Sequence, residues 1–372
     1  METHPLLWHL RGSESAWCFS VQARRSLGGA SRLTQREEEF FAPLFRNEKV
    51  EVLVAGLKHP IGIYYEHQRW FVPLFAELDR RGVPYVHLDA TRHHFDLVPN
   101  GNQQYGLIFN RMSPSAWTRG NAHGVFYTLS YLAHLERMGT RVVNGSQAFR
   151  NETSKALQLS LLQSLGLAYP RSVVINHPSQ ASEAARGMRF PVVVKPNIGG
   201  SGVGIVKFDM PEQLASAARN EAFNLGLDSV GIVQEFIPAR GGHITRVETI
   251  GYKYLYGIKV FTSGETFDLC PMDICKTSDG ADLKTTCVIE GAKTGLRVEG
   301  YQPPPDVITA IERIFRETSI EVGGAEYIVD NRDGQLYYYD INALSNFVAD
   351  GPRVVGFDPF ERLVDYLVQE AR

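Results

Sequence analysis

Lys195 closes the apolar run Phe190-Pro191-Val192-Val193-Val194 and is followed by Pro196-Asn197-Ile198-Gly199-Gly200-Ser201-Gly202-Val203-Gly204, then by a second apolar stretch at Ile205-Val206. Glycine adds no side-chain clash, so backbone N–H groups in such a loop can close on phosphate oxygens, and the lysine adds a fixed positive charge beside them. The loop joins two strands. It is therefore neither a Walker A loop, which opens a helix and carries G-x-x-x-x-G-K-[ST], nor the dinucleotide fingerprint. Taken alone, the stretch also reads as a glycine-rich hairpin with no ligand.

A second constellation lies toward the C-terminus. Gly324-Ala325-Glu326-Tyr327-Ile328-Val329-Asp330 reads as a strand, Asn331-Arg332-Asp333-Gly334 as a hairpin turn, and Tyr337-Tyr338-Tyr339-Asp340-Ile341-Asn342 as the returning strand. Side chains alternate faces along a strand, so Asp340 and Asn342 point to one side and Glu326 can sit opposite them. Two carboxylates and an amide oxygen on one face suit a Mg²⁺ ion that also binds phosphate oxygens. The competing reading is a solvated hairpin face.

Together these segments resemble the ATP-grasp superfamily, nearest its glutathione-synthetase-like carboxylate–amine ligases, from roughly Glu51 to the C-terminus. The resemblance implies ATP and Mg²⁺ (or Mn²⁺) as cofactors. Lys155 and Lys195 match the two phosphate-holding lysines, with Gly200, Ser201 and Gly202 in the phosphate loop. Ile232-Val233-Gln234-Glu235-Phe236-Ile237 matches the strand and hinge around adenine, so Gln234, Glu235, Phe236 and Ile237 are the expected nucleotide contacts. Glu326, Asp340 and Asn342 match the metal set. Two departures are visible. No acidic residue follows the hinge in Pro238-Ala239-Arg240-Gly241-Gly242-His243-Ile244-Thr245, which leaves His243 or Thr245 for the ribose. Ala343-Leu344-Ser345-Asn346-Phe347 replaces the Pro-Gly ending seen in many members.

Substrate-side candidates are cations. Arg246 follows the hinge on a strand, where a guanidinium suits the substrate carboxylate or an acyl phosphate through a two-pronged contact; it is the catalytic candidate, set against an exposed strand arginine. Arg111 ends a strand of a parallel sheet, the edge at which ligands gather, and competes with a surface ion pair. Lys259 and Arg353 are weaker substrate-binding candidates. His93, His94 and His123 read as surface histidines.

The chain has 372 residues, 44% hydrophobic and 21% charged, with a net charge of −3. That is ordinary enzyme composition, long enough for two or three domains, with neither a nucleic-acid nor a membrane-surface footprint. Cys18, Cys270, Cys275 and Cys287 form no CxxC pair, so reduced thiols in a cytoplasmic protein are expected; the Cys270–Cys275 spacing is a weak metal or redox signal. No apolar run approaches a membrane span. The arginine- and serine-rich start resembles a transit peptide only in composition, since it lacks the amphipathic pattern.

From residue 50 the pattern alternates strands and helices: strands at 50–55, 85–88, 107–110 and 141–144, helices at 70–81 and 127–138. This implies a parallel sheet covered on both faces. A helix at 154–165 carries Lys155 in its first turn, where the helix dipole disfavours a cation unless a polyphosphate compensates. Helix 211–220, strand 254–260 and a long loop at 262–283 follow. The organisation expected is a 1–48 extension containing a short helix at 33–44; a 49–150 pre-ATP-grasp α/β domain; a 151–237 ATP-grasp small subdomain with its glycine-rich lid; and a 238–372 C-terminal subdomain with the metal site. The fold class is α/β.

The function expected is ATP-dependent joining of a carboxylate to an amine on an amino acid or small peptide, through an acyl phosphate and with release of ADP and phosphate. A kinase acting on a hydroxyl is the alternative, and a nucleotide-binding protein without catalysis a third class. Small-molecule substrates are the partners expected, with neither nucleic acid nor membrane; a homodimer is left open.

Overall fold

The computed structural model describes residues 56–97, 104–200, 202–261 and 297–372. The expected helix at 33–44, strand at 50–55, loop at 262–283, Ser201 and all four cysteines lie outside the described residues.

The N-terminal sheet is parallel, in the order β2-β1-β3-β4, formed by β1 (Ile61–Tyr65), β2 (Tyr85–Asp89), β3 (Leu107–Arg111) and β4 (Val142–Val143). Strand β1 was not legible as a strand, because both its faces are covered and Ile61-Gly62-Ile63-Tyr64-Tyr65 shows no polar alternation. Gly62 leaves room for its neighbours there: a Cβ would lie 2.4 Å from Ile108 Cδ1, so that side chain would have to shift. Helix α1 (Val72–Arg80) buries Leu74, Phe75 and Leu78 on one side of this sheet. Helix α2 (Ala122–Arg137) buries Val125, Leu132 and Leu135 on the other.

Helices α3 (Ser146–Glu152) and α4 (Lys155–Ser164) lead into an antiparallel sheet. It consists of β5 (Ser172–Ile175), β6 (Val192–Pro196), β7 (Val206–Phe208) and β8 (Gly231–Glu235), in the order β5-β8-β6-β7. Its Val192, Val194, Phe208 and Val233 pack with the short α5 (Ala181–Ala184) and with α6 (Pro211–Arg219). By the period of two, Val193 and Lys195 of β6 face the other way, with Gln234 of β8 beside them.

The third sheet is antiparallel, in the order β11-β10-β9-β12-β13, built from β9 (His243–Ile250), β10 (Lys253–Phe261), β11 (Val298–Tyr301), β12 (Val322–Val329) and β13 (Leu336–Asn342). Helix α7 (Pro305–Thr318) covers one face, where Ile311, Ile314 and Phe315 meet Val247, Ala325 and Ile341. On the opposite face Ile244, Tyr256 and Ile258 share a core with the N-terminal sheet and with Leu363, Val364 and Leu367 of the last helix. After the short α8 (Gly351–Val354), that helix, α9 (Pro359–Glu370), packs back on α1. Each buried aliphatic or aromatic side chain contributes about 1.5–3 kcal/mol, so these cores fix the face on which the polar residues of β9, β12 and β13 converge.

Candidate active site

Register brings the expected metal set together. Glu326 pairs with Asp340 and Gly324 with Asn342 across β12 and β13, and Glu326 pairs with Arg246 of β9 on its other side. Paired residues share a face, so Arg246, Glu326, Asp340 and Asn342 form one polar patch. The turn between the strands carries Gly334 at φ +79°, the left-handed conformation that the Asp-Gly pair accommodates.

Lys155 reaches this patch from the first turn of α4 and bonds to Asp340 Oδ1. Two neighbours of Lys155 set its direction. Ser154 caps the helix, accepting from Leu157 N at 3.3 Å. Gln158 donates to the Ile341 carbonyl at 2.8 Å and accepts from its N–H at 3.3 Å. Lys195, 5% exposed, is tied to the same helix through Asn197. The Asn197 Oδ1 accepts from Ala156 N at 2.9 Å, and its carbonyl accepts from Lys155 N at 3.3 Å.

The electrostatics confirm one shared neighbourhood. Burial, and after it the neighbouring Lys155, push the Lys195 ammonium down to about 7 against the upward pull of Asp340 and Glu326. Burial also disfavours the charged Lys155, but its partner Asp340 wins and the net direction is up. Burial raises Asp340 and its Lys155 partner overrides that, holding the carboxyl below its usual range. Glu326 is raised, chiefly by burial, with Arg246 opposing. Its Oε2 accepts the Tyr339 hydroxyl at 2.6 Å.

The donor set fits a hard divalent cation shared with phosphates: two carboxylates and an amide on one face, with two lysines alongside. Among the described residues no group of three or more His, Cys, Asp or Glu side chains forms a ready cage. A Mg²⁺ that draws its remaining ligands from substrate oxygens and water needs none.

Arg246 is buried. Its Nε donates to Glu248 Oε1 at 2.7 Å and its Nη2 to Ser345 Oγ at 2.5 Å, while Nη1 lies 3.6 Å from Glu326 Oε1. Glu248 sits over Gly324, where a Cβ would come within 2.8 Å of its carboxylate oxygens.

At the hinge, the N–H groups of Glu235 and Phe236 are already bonded to the carbonyls of Arg171 and Pro191, both at 2.9 Å. The Glu235 carboxylate is turned away to Arg189, accepting its N–H at 2.8 Å, and Gln234 donates to Ser172 Oγ at 2.7 Å. Lys207 lies 5.1 Å above the Phe236 ring, and Ile237 is buried. Gly200 lies against Ser115, 3.2 Å from where its Cβ would be, and Gly202 has φ +70°.

Five expected residues are not brought to the patch. Thr245 and His243 alternate with Arg246 along β9 and so occupy the opposite face, and the His243 ring packs 5.2 Å from Phe261. Lys259 pairs with Thr245 on that same far face, with its ammonium over the Tyr301 ring at 4.5 Å. Arg353 is exposed and bonded to Asp350 at 2.5 Å. Arg111 is buried, but its guanidinium is spent on main chain, donating to the carbonyls of Ala343 at 3.0 Å and Ser345 at 2.6 Å. It supports the segment after Asn342.

Sequence reading missed Glu152, Gln158, Asn197, Glu248 and Ser345, as well as Asn144, whose Nδ2 donates to the Val322 carbonyl at 2.7 Å. Apart from Arg246, two residues from Glu248 on the same strand face, their partners are remote in sequence. The other local hint was that Glu152 and Gln158 each stand three residues from Lys155.

The architecture is the ATP-grasp fold. The structure aligns with the ATP-grasp ligase PsnB complexed with a minimal precursor at a TM-score of 0.59 and 19% identity, covering 84% of this chain and 99% of PsnB. No family model matches the chain. In sequence it is 35% identical over 135 residues to a probable alpha-L-glutamate ligase of Teredinibacter turnerae, covering 36% of this chain and 44% of the relative. It is 29% identical over 186 residues to one of Vibrio vulnificus, covering 49% and 58%. The chain thus spans about half the length of these curated relatives. No helix among the described residues is long and apolar enough to cross a membrane.

Proposed function

We propose that this chain is an ATP-dependent carboxylate–amine ligase that makes an amide bond on an amino acid or small peptide. The observation that carries the reading is the convergence of Lys155 and Lys195 on Asp340, Glu326 and Asn342, with Arg246 paired to Glu326 on the same face. The names of the relatives support the ligase class. The domain limits at 49–150, 151–237 and 238–372 belong to the same proposal.

In this reading Lys155 and Lys195 neutralise phosphate oxygens, and Glu326, Asp340 and Asn342 hold Mg²⁺. When bound, Mg²⁺ stabilises charge on the transferring phosphoryl group. Arg246 holds the substrate carboxylate, whose oxygen attacks the γ-phosphorus and releases ADP. An amine then attacks the carbonyl carbon, the bond from that carbon to the phosphate-bearing oxygen breaks, and phosphate leaves as the amine loses one proton. Most of the protein's contribution is orientation and fixed charge.

The test is ADP release in a screen of amino-acid and short-peptide pairs, followed by mass analysis. Amine-dependent ADP and free phosphate with an amide product support the proposal. Phosphate retained on the product establishes the kinase alternative.

A further inference from the structure

Strand β13, which carries Asp340 and Asn342, is the edge of its sheet. An edge strand presents N–H and C=O groups with no partner strand. The Ala168 carbonyl accepts from Tyr338 N at 2.9 Å, and beside the expected ligands side chains cover that edge. Gln158 takes both polar groups of Ile341, the residue between the two expected ligands. Glu152 accepts the N–H of Ala343, directly after Asn342, and that of Leu344 at 3.4 Å. Arg111 and Asn144 donate to the Ala343 carbonyl at 3.0 and 3.1 Å. Glu152 and Gln158 are 6% and 3% exposed, and they flank Lys155 in the chain.

We propose that Glu152 and Gln158 are positioning residues that act as a surrogate strand along the edge of β13, fixing Asp340 and Asn342 in register with Lys155. The physical reason is directness. The peptides on either side of Asn342 are held by groups from the same stretch that delivers Lys155, so the ammonium and the metal-binding side chains share one frame. A few tenths of an ångström of slip at Ile341 would misplace both. This inference rests on the nucleotide–metal reading of the site and goes beyond it in assigning two residues that need touch neither ligand.

The test uses the full chain with AMPPNP and Mn²⁺, and follows bound Mn²⁺ by electron paramagnetic resonance; melting temperature and metal-free AMPPNP binding are measured alongside. Gln158→Leu removes both bonds at similar volume, Gln158→Glu keeps the acceptor but not the donor, and Glu152→Gln keeps the reach but removes the charge. We expect Gln158→Leu and Glu152→Gln to weaken Mn²⁺ in the ternary complex at least tenfold while metal-free AMPPNP binding changes less than threefold, with Gln158→Glu in between. Wild-type Mn²⁺ affinity in variants that merely melt earlier would overturn the inference. If Gln158→Leu does not fold, Gln158→Glu and Glu152→Gln decide by the same criterion. Failure of the wild-type chain to bind Mn²⁺ with AMPPNP would instead overturn the site reading itself.

Discussion

Lys155 and Asp340 form an ion pair across 185 residues of sequence, joining the start of a helix in one part of the chain to an edge strand in another. Opposite charges so placed hold Asp340 ionised in a half-buried setting, the condition a metal-binding carboxylate requires. Asp340→Asn removes that charge at nearly constant volume. Turnover should fall by more than a hundredfold, with the far-UV spectrum unchanged. Wild-type turnover in this variant would remove Asp340 from the site.

Lys195 gives a prediction with a definite sign. In the fold its ammonium loses its proton near 7, against an ordinary value of 10.5. Between those two values the unfolded chain binds a proton that the folded chain does not, so this group makes stability rise with pH across the window. Below it, the full cost of the buried charge is present. Lys195→Met should therefore raise the melting temperature of the nucleotide-free protein at pH 7, by about 2–6 °C. The gain should fade as the pH approaches 10. A melting temperature lowered at pH 7 would contradict the assignment of burial as the dominant influence.

The same residue should take up a proton when phosphates arrive, because nearby negative charge favours the ammonium. Calorimetric titration with AMPPNP at pH 8 in two buffers of different ionisation enthalpy should show net proton uptake, absent in Lys195→Met. Equal apparent enthalpies in the two buffers would place Lys195 away from the phosphates.

Much of the patch was legible because it obeys local rules. The Asp-Gly turn announces the hairpin, and the period of two aligns Asp340 with Asn342; the register shift at Tyr339, between the Glu326–Asp340 and Tyr327–Tyr338 pairs, sets Glu326 opposite Asp340 and shows in no local pattern. The glycine-rich loop after Lys195 announces itself by composition. What stayed hidden depends on long-range partners. Arg111 sits at the strand end expected of it, yet nothing near it in sequence reveals that its guanidinium meets the carbonyls of Ala343 and Ser345. Thr245 was offered for the ribose from its place after the hinge, and strand alternation turns it away from Arg246. Strand β1 escaped because burial on both faces erases the alternation by which strands are read.

Arg111 now carries a prediction opposite to that of a substrate anchor. Lysine is a point charge that cannot bridge two carbonyls, so Arg111→Lys should lose about 1.5–3 kcal/mol of stability. It should lower kcat while leaving KM for either substrate within about twofold. A tenfold rise in KM for the carboxylate substrate at unchanged kcat would return Arg111 to the substrate.

Arg246 should matter to chemistry more than to nucleotide affinity. Losing one member of a buried, hydrogen-bonded charge cluster costs about 2–5 kcal/mol. Arg246→Ala should therefore slow turnover well over tenfold, with Arg246→Lys recovering only part. Weakened AMPPNP binding at an unaltered saturated rate would move the residue to the nucleotide.

Activation of a carboxylate by phosphoryl transfer, for attack by an amine, leaves a signature in the fate of oxygen. The carboxylate substrate that supports ADP release is labelled with ¹⁸O in both carboxylate oxygens, and the products of a complete reaction are analysed by mass spectrometry. The expected products are an amide that retains one labelled oxygen and inorganic phosphate that carries the other. Label recovered in AMP, or a phosphorylated product with both oxygens still on the carboxylate, would overturn activation by phosphoryl transfer to the carboxylate.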